Sequence, residues 1–288
     1  MTSCASSEKS GRNPKVDLSW GVALRHASRW TRTIASPLTS LLFPASCWAT
    51  GQPTSTAEGG LSHETREEIA RQMLWPYCRA CGATTGHYTD YGLHNPCPAC
   101  ADRQLGVASI VRVGTFSPPL DTLVHTLKFG RRWELARLLA PFLFQAISMQ
   151  TRDGQDPPVD ALVPVALHWQ RRLSRGFNQS EELSREVTRL SKWPTLNILR
   201  RIRPTHEQSL TQSRAQRLEN LQGAFACLPD ERLAGKHIWL VDDVSTTGAT
   251  LHAAAAAFRR LPRNYRPAGI HAAVLCVTDK TPVPLPTK

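Results

Sequence analysis

The chain reads as an α/β protein: a parallel sheet flanked by helices, with a small cysteine-bearing segment on its N-terminal side. Three observations predict this. From about residue 106 onward, short apolar runs alternate with helical periodicity. Two C-x-x-C pairs, Cys78/Cys81 and Cys97/Cys100, lie ahead of that region. And the apolar run "HIWLV" passes straight into two acids, a hydroxyl- and glycine-rich loop and an alanine-rich helix, the layout of a ligand-binding strand end.

The elements follow in order. "IVRVGTF" (Ile110–Phe116) reads as a strand. Leu120, Leu123, Val124 and Leu127 then repeat at helical spacing behind Asp121, which can serve as a cap. Trp133 to Ile147 is a second amphipathic helix. "VDALVPVAL" (Val159–Leu167) is a short apolar strand, followed by an arginine-rich loop. A helix from about Asn178 to Trp193 comes next, with Asn178 or Ser180 as its cap. Asn197–Arg201, "GAFAC" and "HIWLVDD" are further strands, Thr250–Leu261 is a helix, and "IHAAVLCVT" is the last strand. Alternation of this kind gives a parallel sheet that takes its ligands at the carboxyl ends of the strands.

Size and composition bound the rest. At 288 residues the chain holds one or two domains, and 41% hydrophobic with 20% charged residues is a globular composition. A net charge of +12 favours phosphate-bearing or polyanionic partners, without choosing between a small ligand and nucleic acid. No run of about eighteen apolar residues exists, so no membrane span is expected. The N-terminus lacks the order of a secretory signal. Residues 1–60 read as a basic, Ser/Thr-rich tail and linker, poorly ordered or reflecting an over-extended start, with Trp20–Leu42 as a short helical candidate. Residues 61–105 form the cysteine segment and 106–288 the α/β domain. Oligomeric state is not legible.

The cysteine pairs have the spacing of a four-thiolate zinc site in a reducing, cytoplasmic setting. Each C-x-x-C supplies a tight turn, and four sulfurs close the shell, so the metal would be structural and would let a small segment fold. Redox use of either pair is the rival. Cys4, Cys47, Cys227 and Cys276 stand alone, the last two as core residues, and His87 and His94 are surface residues.

The opening motif carries the chemistry. Ser245-Thr246-Thr247-Gly248-Ala249-Thr250 meets a helix N-terminus, where unpaired amides and the helix dipole favour an anion. Asp242 and Asp243 would repel a phosphate but accept hydrogen bonds from vicinal hydroxyls. A ligand with a phosphate at one end and a cis-diol beside it is a ribose 5-phosphate. The alternative is that the acids only cap a turn. Neither G-x-x-x-x-G-K-[ST] nor G-x-G-x-x-G occurs, which excludes those two phosphate-binding designs. In "LHWQRRLSRGFNQS", Arg171, Arg172 and Arg175 crowd one loop, which suits a pyrophosphate through paired guanidinium donors.

"IWLVDDVSTTGAT" (Ile238–Thr250) resembles the signature of type I phosphoribosyltransferases. The likeness narrows with "VPVALHWQRRLSRGFNQSEELS", "RIRPTHEQSLTQSRAQRLENLQGAF" and "PPLDTLVHTLKFGRRWELARLLAPFL" to the ComF family (ComFC/GntX-like), associated with natural competence. It covers about residues 105–278. The resemblance implies that Asp242 and Asp243 hold the ribose hydroxyls and act as the catalytic pair. Ser245 through Thr250 would grip the 5-phosphate of phosphoribosyl pyrophosphate, with magnesium on the pyrophosphate. "RGFNQ", "HEQS", Arg214, Arg217 and Asn220 would line or support the phosphate-binding face. It also implies an N-terminal zinc ribbon; "LLFPASCWATG" resembles the start of such a ribbon, but Thr50 stands where its second cysteine would be, so Cys47 is expected to bind no metal. Two function classes stay open: transfer of phosphoribose to an unidentified acceptor, or a non-catalytic module that binds this ligand or single-stranded DNA during uptake. Basic charge with exposed aromatics such as Trp169 and Trp193 favours the latter.

Overall fold

In the computed structural model, the residues described are 45–55, 59–86, 97, 98, 100, 106–152, 154, 156–203 and 214–279, without the side chains of residues 214, 215, 217 and 218. The helical candidate Trp20–Leu42 lies outside them, as do Cys4, His87, His94 and the His206–Ser209 stretch.

Four strands form one parallel sheet: β1 (Ile110–Thr115), β2 (Ala161–Pro164), β5 (His237–Ser245) and β6 (Gly269–Val277), in the order β1-β6-β5-β2. β5 and β6 are central and covered on both faces. That is why their sequences are nearly continuous apolar runs rather than alternating ones. Alternation instead decides which core each side chain joins. Ile238 and Leu240 pack with Ala272, Val274 and the inner face of α7 (Ala249–Arg259), where Ala254 and Ala255 let the helix lie close to the sheet. Trp239 and Val241 pack with Ala273 and Leu275 on the other face. There they meet α2 (Leu120–Phe129), α3 (Leu135–Arg152) and α5 (Gln179–Ser191) through Leu123, Leu139, Leu143, Leu183 and Val187.

The strands β3 (Leu199–Arg201) and β4 (Phe225–Cys227) form a separate two-stranded antiparallel sheet. Between them lies α6 (Arg214–Leu221).

Several local expectations are corrected. Asp121 does not cap α2: Pro119 holds that position, and the Asp121 carboxylate accepts from the Thr122 amide inside the first turn. The arginine-rich stretch is not a loop but a short helix, α4 (Trp169–Arg175), ended by Gly176 in the left-handed region. Its residues are mostly good helix formers, and no proline or β-branched residue interrupts them. Asn178, not Ser180, caps α5 by accepting from the Ser180 amide. Trp193 is not an exposed aromatic; it packs against Phe144, with ring centroids 5.4 Å apart. Cys276 is buried as expected, whereas Cys227 is only half-buried.

On the N-terminal side, Ala45–Ser55 is a turn-rich stretch beside α1 (His63–Met73). Cys47 is buried there: its Sγ lies 3.2 Å from Thr65 Oγ1, and the Ser62 amide donates to it at 3.5 Å. Burial pushes this thiol up, but the Ser62 amide and the hydroxyls of Thr65 and Thr50 outweigh that and bring it down to about 6. No helix among the described residues is long and apolar enough to cross a membrane.

Candidate phosphoribosyl and metal sites

Two sites emerge, and they are built differently. The first is the cysteine cluster. Cys78, Cys81, Cys97 and Cys100 are all buried, and their sulfurs lie within 4.8 Å of one another. The distances are 3.7 Å for Cys78–Cys100, 3.6 Å for Cys81–Cys97 and 3.7 Å for Cys97–Cys100. Thiolates about 2.3 Å from a tetrahedral zinc would be roughly 3.8 Å apart, whereas a disulfide requires about 2.05 Å. The donor set therefore fits a structural metal and does not fit a disulfide.

Crowding gives the same answer. The hydrogen bond from Cys81 draws the Cys78 thiol down to about 4, while that contact and burial push Cys81 up, and burial pushes Cys100 up to about 12. Four thiolates cannot share this volume without a cation between them. Cys47 lies outside the cluster.

The turn that presents the first pair is local. Gly82 donates to Cys78 O at 2.6 Å and Cys78 donates to Ala83 O at 2.9 Å. Gly82 has φ +77°, and a Cβ there would come within 2.7 Å of Val277, so the turn lies flat on the end of β6. Polar contacts finish the docking. Arg79 pairs with buried Asp156 at 2.6 Å, and Ile110 N–H donates to Arg79 O at 2.7 Å. Arg112, fully buried on β1, donates to Thr84 Oγ1 at 2.8 Å and lies over the Tyr77 ring. The Thr84 amide donates to Asp279 just past β6 at 2.9 Å.

The second site sits at the carboxyl ends of β2 and β5. β5 runs on through the acid pair to Ser245, so Asp242 and Asp243 leave the strand on opposite sides. Asp243 is buried and ion-paired with Lys128 from the last turn of α2, at 2.9 Å. Asp242 is part-buried. Its Oδ1 accepts from the Ser180 hydroxyl at 3.1 Å and from the Asp243 amide at 2.9 Å. Burial first, and then the neighbouring Asp243 charge, raise its carboxyl to about 7; Lys128, the Asp243 amide and Ser180 act the other way.

After Ser245 the chain turns through Thr246 and Thr247 into Gly248, whose φ of 73° opens α7 as its N-cap, and the Ala249 amide donates to Thr247 Oγ1 at 3.4 Å. A side chain there would be strained, so glycine is required by the turn. Thr246 is exposed, while Ser245, Thr247 and Ala249 are buried and Thr250 is half-buried. The Thr278 amide donates to Ser245 O at 3.0 Å, joining the loop to the end of β6.

The three arginines of α4 are not equivalent. Arg172 forms an exposed ion pair with Glu181 at 2.9 Å. Arg175 donates to Gln179 at 3.2 Å and stacks over Phe129. Arg171 lies by Arg201 of β3, whose guanidinium is held down at about 10 by burial and then by the Arg171 charge, with Asp242 opposing. Lys128, Ser180 and Arg201 are therefore site residues that sequence reasoning missed. Of the residues implied by resemblance, Asn220 is among those described, and its carbonyl accepts from Arg203 at 3.0 Å. The side chains of Arg214 and Arg217 are not.

Comparison with known proteins agrees with this geometry. The Phosphoribosyl transferase domain family matches residues 173–284. The DNA utilization protein YhgH of Salmonella typhi is 33% identical over 214 residues, covering 73% of this chain and 89% of that protein. The Competence protein F of Haemophilus influenzae is 30% identical over 207 residues, covering 71% and 86%. The Competence protein ComFC of Bacillus subtilis is 36% identical over 94 residues, 33% of this chain and 36% of that protein. A strand end with paired acids, a glycine-opened helix and a buried four-cysteine cluster thus meet in one chain, which belongs to the ComF/YhgH (GntX) family of proteins with a phosphoribosyl transferase domain.

Proposed function

We propose that the chain binds phosphoribosyl pyrophosphate with magnesium at the carboxyl end of β5. The observation that carries this reading is the sequence of one part-buried carboxyl, one ion-paired carboxyl and a left-handed Gly248 opening α7. The amides and hydroxyls of Ser245, Thr246, Thr247, Gly248, Ala249 and Thr250 would take the 5-phosphate, exchanging the Ala249–Thr247 contact for it, because the first amides of a helix have no intrahelical acceptor and lie at its positive dipole end. Asp242, with Asp243 behind it, would accept from the ribose hydroxyls. Arg171, Arg172 and Arg175 on α4 would face the pyrophosphate, with Arg171 the best placed of the three. Magnesium, when bound, supplies charge neutralisation on the pyrophosphate.

Transfer is the reaction such a site supports: the bond from C1 of the ribose to pyrophosphate breaks, and a bond from C1 to an acceptor nucleophile forms. The residues of this chain would position the donor and place donors and charges around its phosphates. The acceptor is not identified, and the cysteine cluster, taken as zinc, is structural because its shell is closed. Calorimetry tests the reading: magnesium-dependent binding of phosphoribosyl pyrophosphate is expected, and unchanged affinity in an Asp242→Asn/Asp243→Asn variant would refute the assigned roles.

A second reading has its own observation. Trp169, on the same helix α4 as Arg171, Arg172 and Arg175, is 60% exposed, and Phe129, under the Arg175 guanidinium, is 61% exposed. Aromatics among arginines are what sequence-tolerant binding of single-stranded nucleic acid uses. With relatives named for DNA utilization and competence, engagement of single-stranded DNA is the alternative function. Affinity for an oligonucleotide that falls steeply with salt supports it, and no binding at low salt removes it.

A further inference from the structure

The acid pair is held from outside its own strand, by the segment that closes α2. Lys128, in the last turn of α2, places Nζ 2.9 Å from Asp243 Oδ1, and both side chains are largely withdrawn from solvent. The residues after it tie the same corner to the arginine helix. The Arg175 guanidinium lies 5.1 Å from the centre of the Phe129 ring. Arg131, at φ 52°, donates from Nη2 to Ser174 O at 3.0 Å. One four-residue bracket, Lys128 to Arg131, therefore touches both the acids and the helix that bears the arginines.

The two acids differ in what they have left to offer. Asp243 is committed to a buried ion pair. Asp242 accepts at Oδ1 from Ser180 and from the Asp243 amide, and its Oδ2 has no donor among the described residues. We propose that Lys128 is a positioning residue of the phosphoribosyl site: by holding Asp243 in a buried ion pair it leaves Asp242 as the acid that receives a ligand hydroxyl. This rests on the sugar-phosphate reading above.

The physical argument is one of like charges. Two neighbouring carboxylates with little solvent cannot both ionise unless a cation stands beside them. Among the described residues, the charged and polar groups that act on Asp242 are Asp243 on β5, Lys128 on α2, Ser180 on α5 and Arg201 on β3, with Arg171 on α4 acting on Arg201. Lys128 is the cation in direct contact with the pair. Lys128 lowers Asp242, which stands at about 7 with that cation in place, so without it the protonated fraction of Asp242 at neutral pH rises. With Oδ1 already accepting two hydrogen bonds, the proton falls on Oδ2, the oxygen that would otherwise accept from the ligand.

The test uses the full, metal-loaded chain and the variants Lys128→Gln, which keeps a donor but no charge, Lys128→Met and Lys128→Arg. Aspartate labelled with carbon-13 at the carboxyl, with the Asp242 signal assigned through Asp242→Asn, reports the titration without any ligand. A midpoint raised by roughly one unit in Lys128→Gln and Lys128→Met, the low end of what an opposite charge contributes, and restored in Lys128→Arg, is expected. In parallel, the affinity for phosphoribosyl pyrophosphate with magnesium in Lys128→Gln should fall about fivefold at pH 7, with the gap closing by pH 9, because a one-unit rise lowers the ionised fraction by that factor.

An Asp242 titration unmoved by Lys128→Gln overturns the proposal, whatever the ligand does. A moved titration in a wild-type chain that binds no phosphoribosyl pyrophosphate supports the Lys128 coupling and overturns the ligand reading instead. If Lys128→Met does not fold, Lys128→Gln alone decides.

Discussion

The four thiols of Cys78, Cys81, Cys97 and Cys100 and the two carboxylates of Asp242 and Asp243 are both crowds of like, ionisable groups withdrawn from water. The chain compensates them differently. Around the thiols it supplies turn geometry and sulfur spacing for a single central cation, with all coordination positions filled by the protein. Around the acids it supplies one cation in contact, Lys128, and leaves Asp242 at about 7 with an acceptor atom to spare. A closed shell stabilises the fold and does no chemistry; an incompletely compensated pair is where a ligand has something to add.

The sharpest way to break this comparison is to open the closed site. Cys81→Ser should reduce the metal content from about one per chain to near zero and lower the melting temperature by roughly 10 °C or more, because metal binding and folding of such a segment are one process. Elemental analysis and a thermal scan decide it, and a full metal complement in that variant would show that the cluster is not a four-ligand site.

Next comes the open site. Asp242→Asn with Asp243→Asn should weaken phosphoribosyl pyrophosphate by about a hundredfold or more, as lost charge-assisted acceptors cost roughly 1.5–3 kcal/mol each. Stability should move the other way. Asp242 has a folded value of about 7, above the ordinary value near 4, so between those two the native state holds a proton that the unfolded chain has released. Stability therefore falls as pH rises through that window. Asp242→Asn removes the penalty, and it should melt several degrees above the wild type at pH 8 but no higher at pH 4. Equal melting at pH 8 would mean that the acid is not strained by its surroundings.

Smaller effects sharpen the picture of the loop and of α4. Gly248→Val forces a branched side chain into the left-handed region and should cost about 1–2 kcal/mol of stability, together with most of the ligand affinity. Arg171→Ala should weaken the ligand about tenfold, whereas Arg172→Ala should change it less than about twofold, because Arg172 is engaged in an exposed ion pair. Titration calorimetry on the two variants separates them, and equal losses would show that the arginines act as a diffuse field.

The difference between the two sites also explains what could be read from the amino-acid order. The cysteine pairs and the run from Asp242 to Thr250 are local patterns: a turn or a helix N-terminus is set by neighbours, so spacing alone reveals it. The strands were legible for the same reason, since a doubly covered strand must be apolar along its length. Lys128, Ser180 and Arg201 were not legible, because each reaches the acids from a separate element and only the sheet order brings them together. The reading of α4 as a loop gave weight to its arginines as ligands and none to the helix they form on. Trp193 was read as exposed because nothing in the sequence shows that Phe144 lies against it.

A crystal of the metal-loaded chain soaked with phosphoribosyl pyrophosphate and magnesium tests the account most directly. The 5-phosphate is predicted within hydrogen-bonding distance of the amides from Thr246 to Thr250, with a ribose hydroxyl on Asp242 and Lys128 still on Asp243. Ligand density elsewhere on the chain, or an empty loop at saturating concentration, would contradict it.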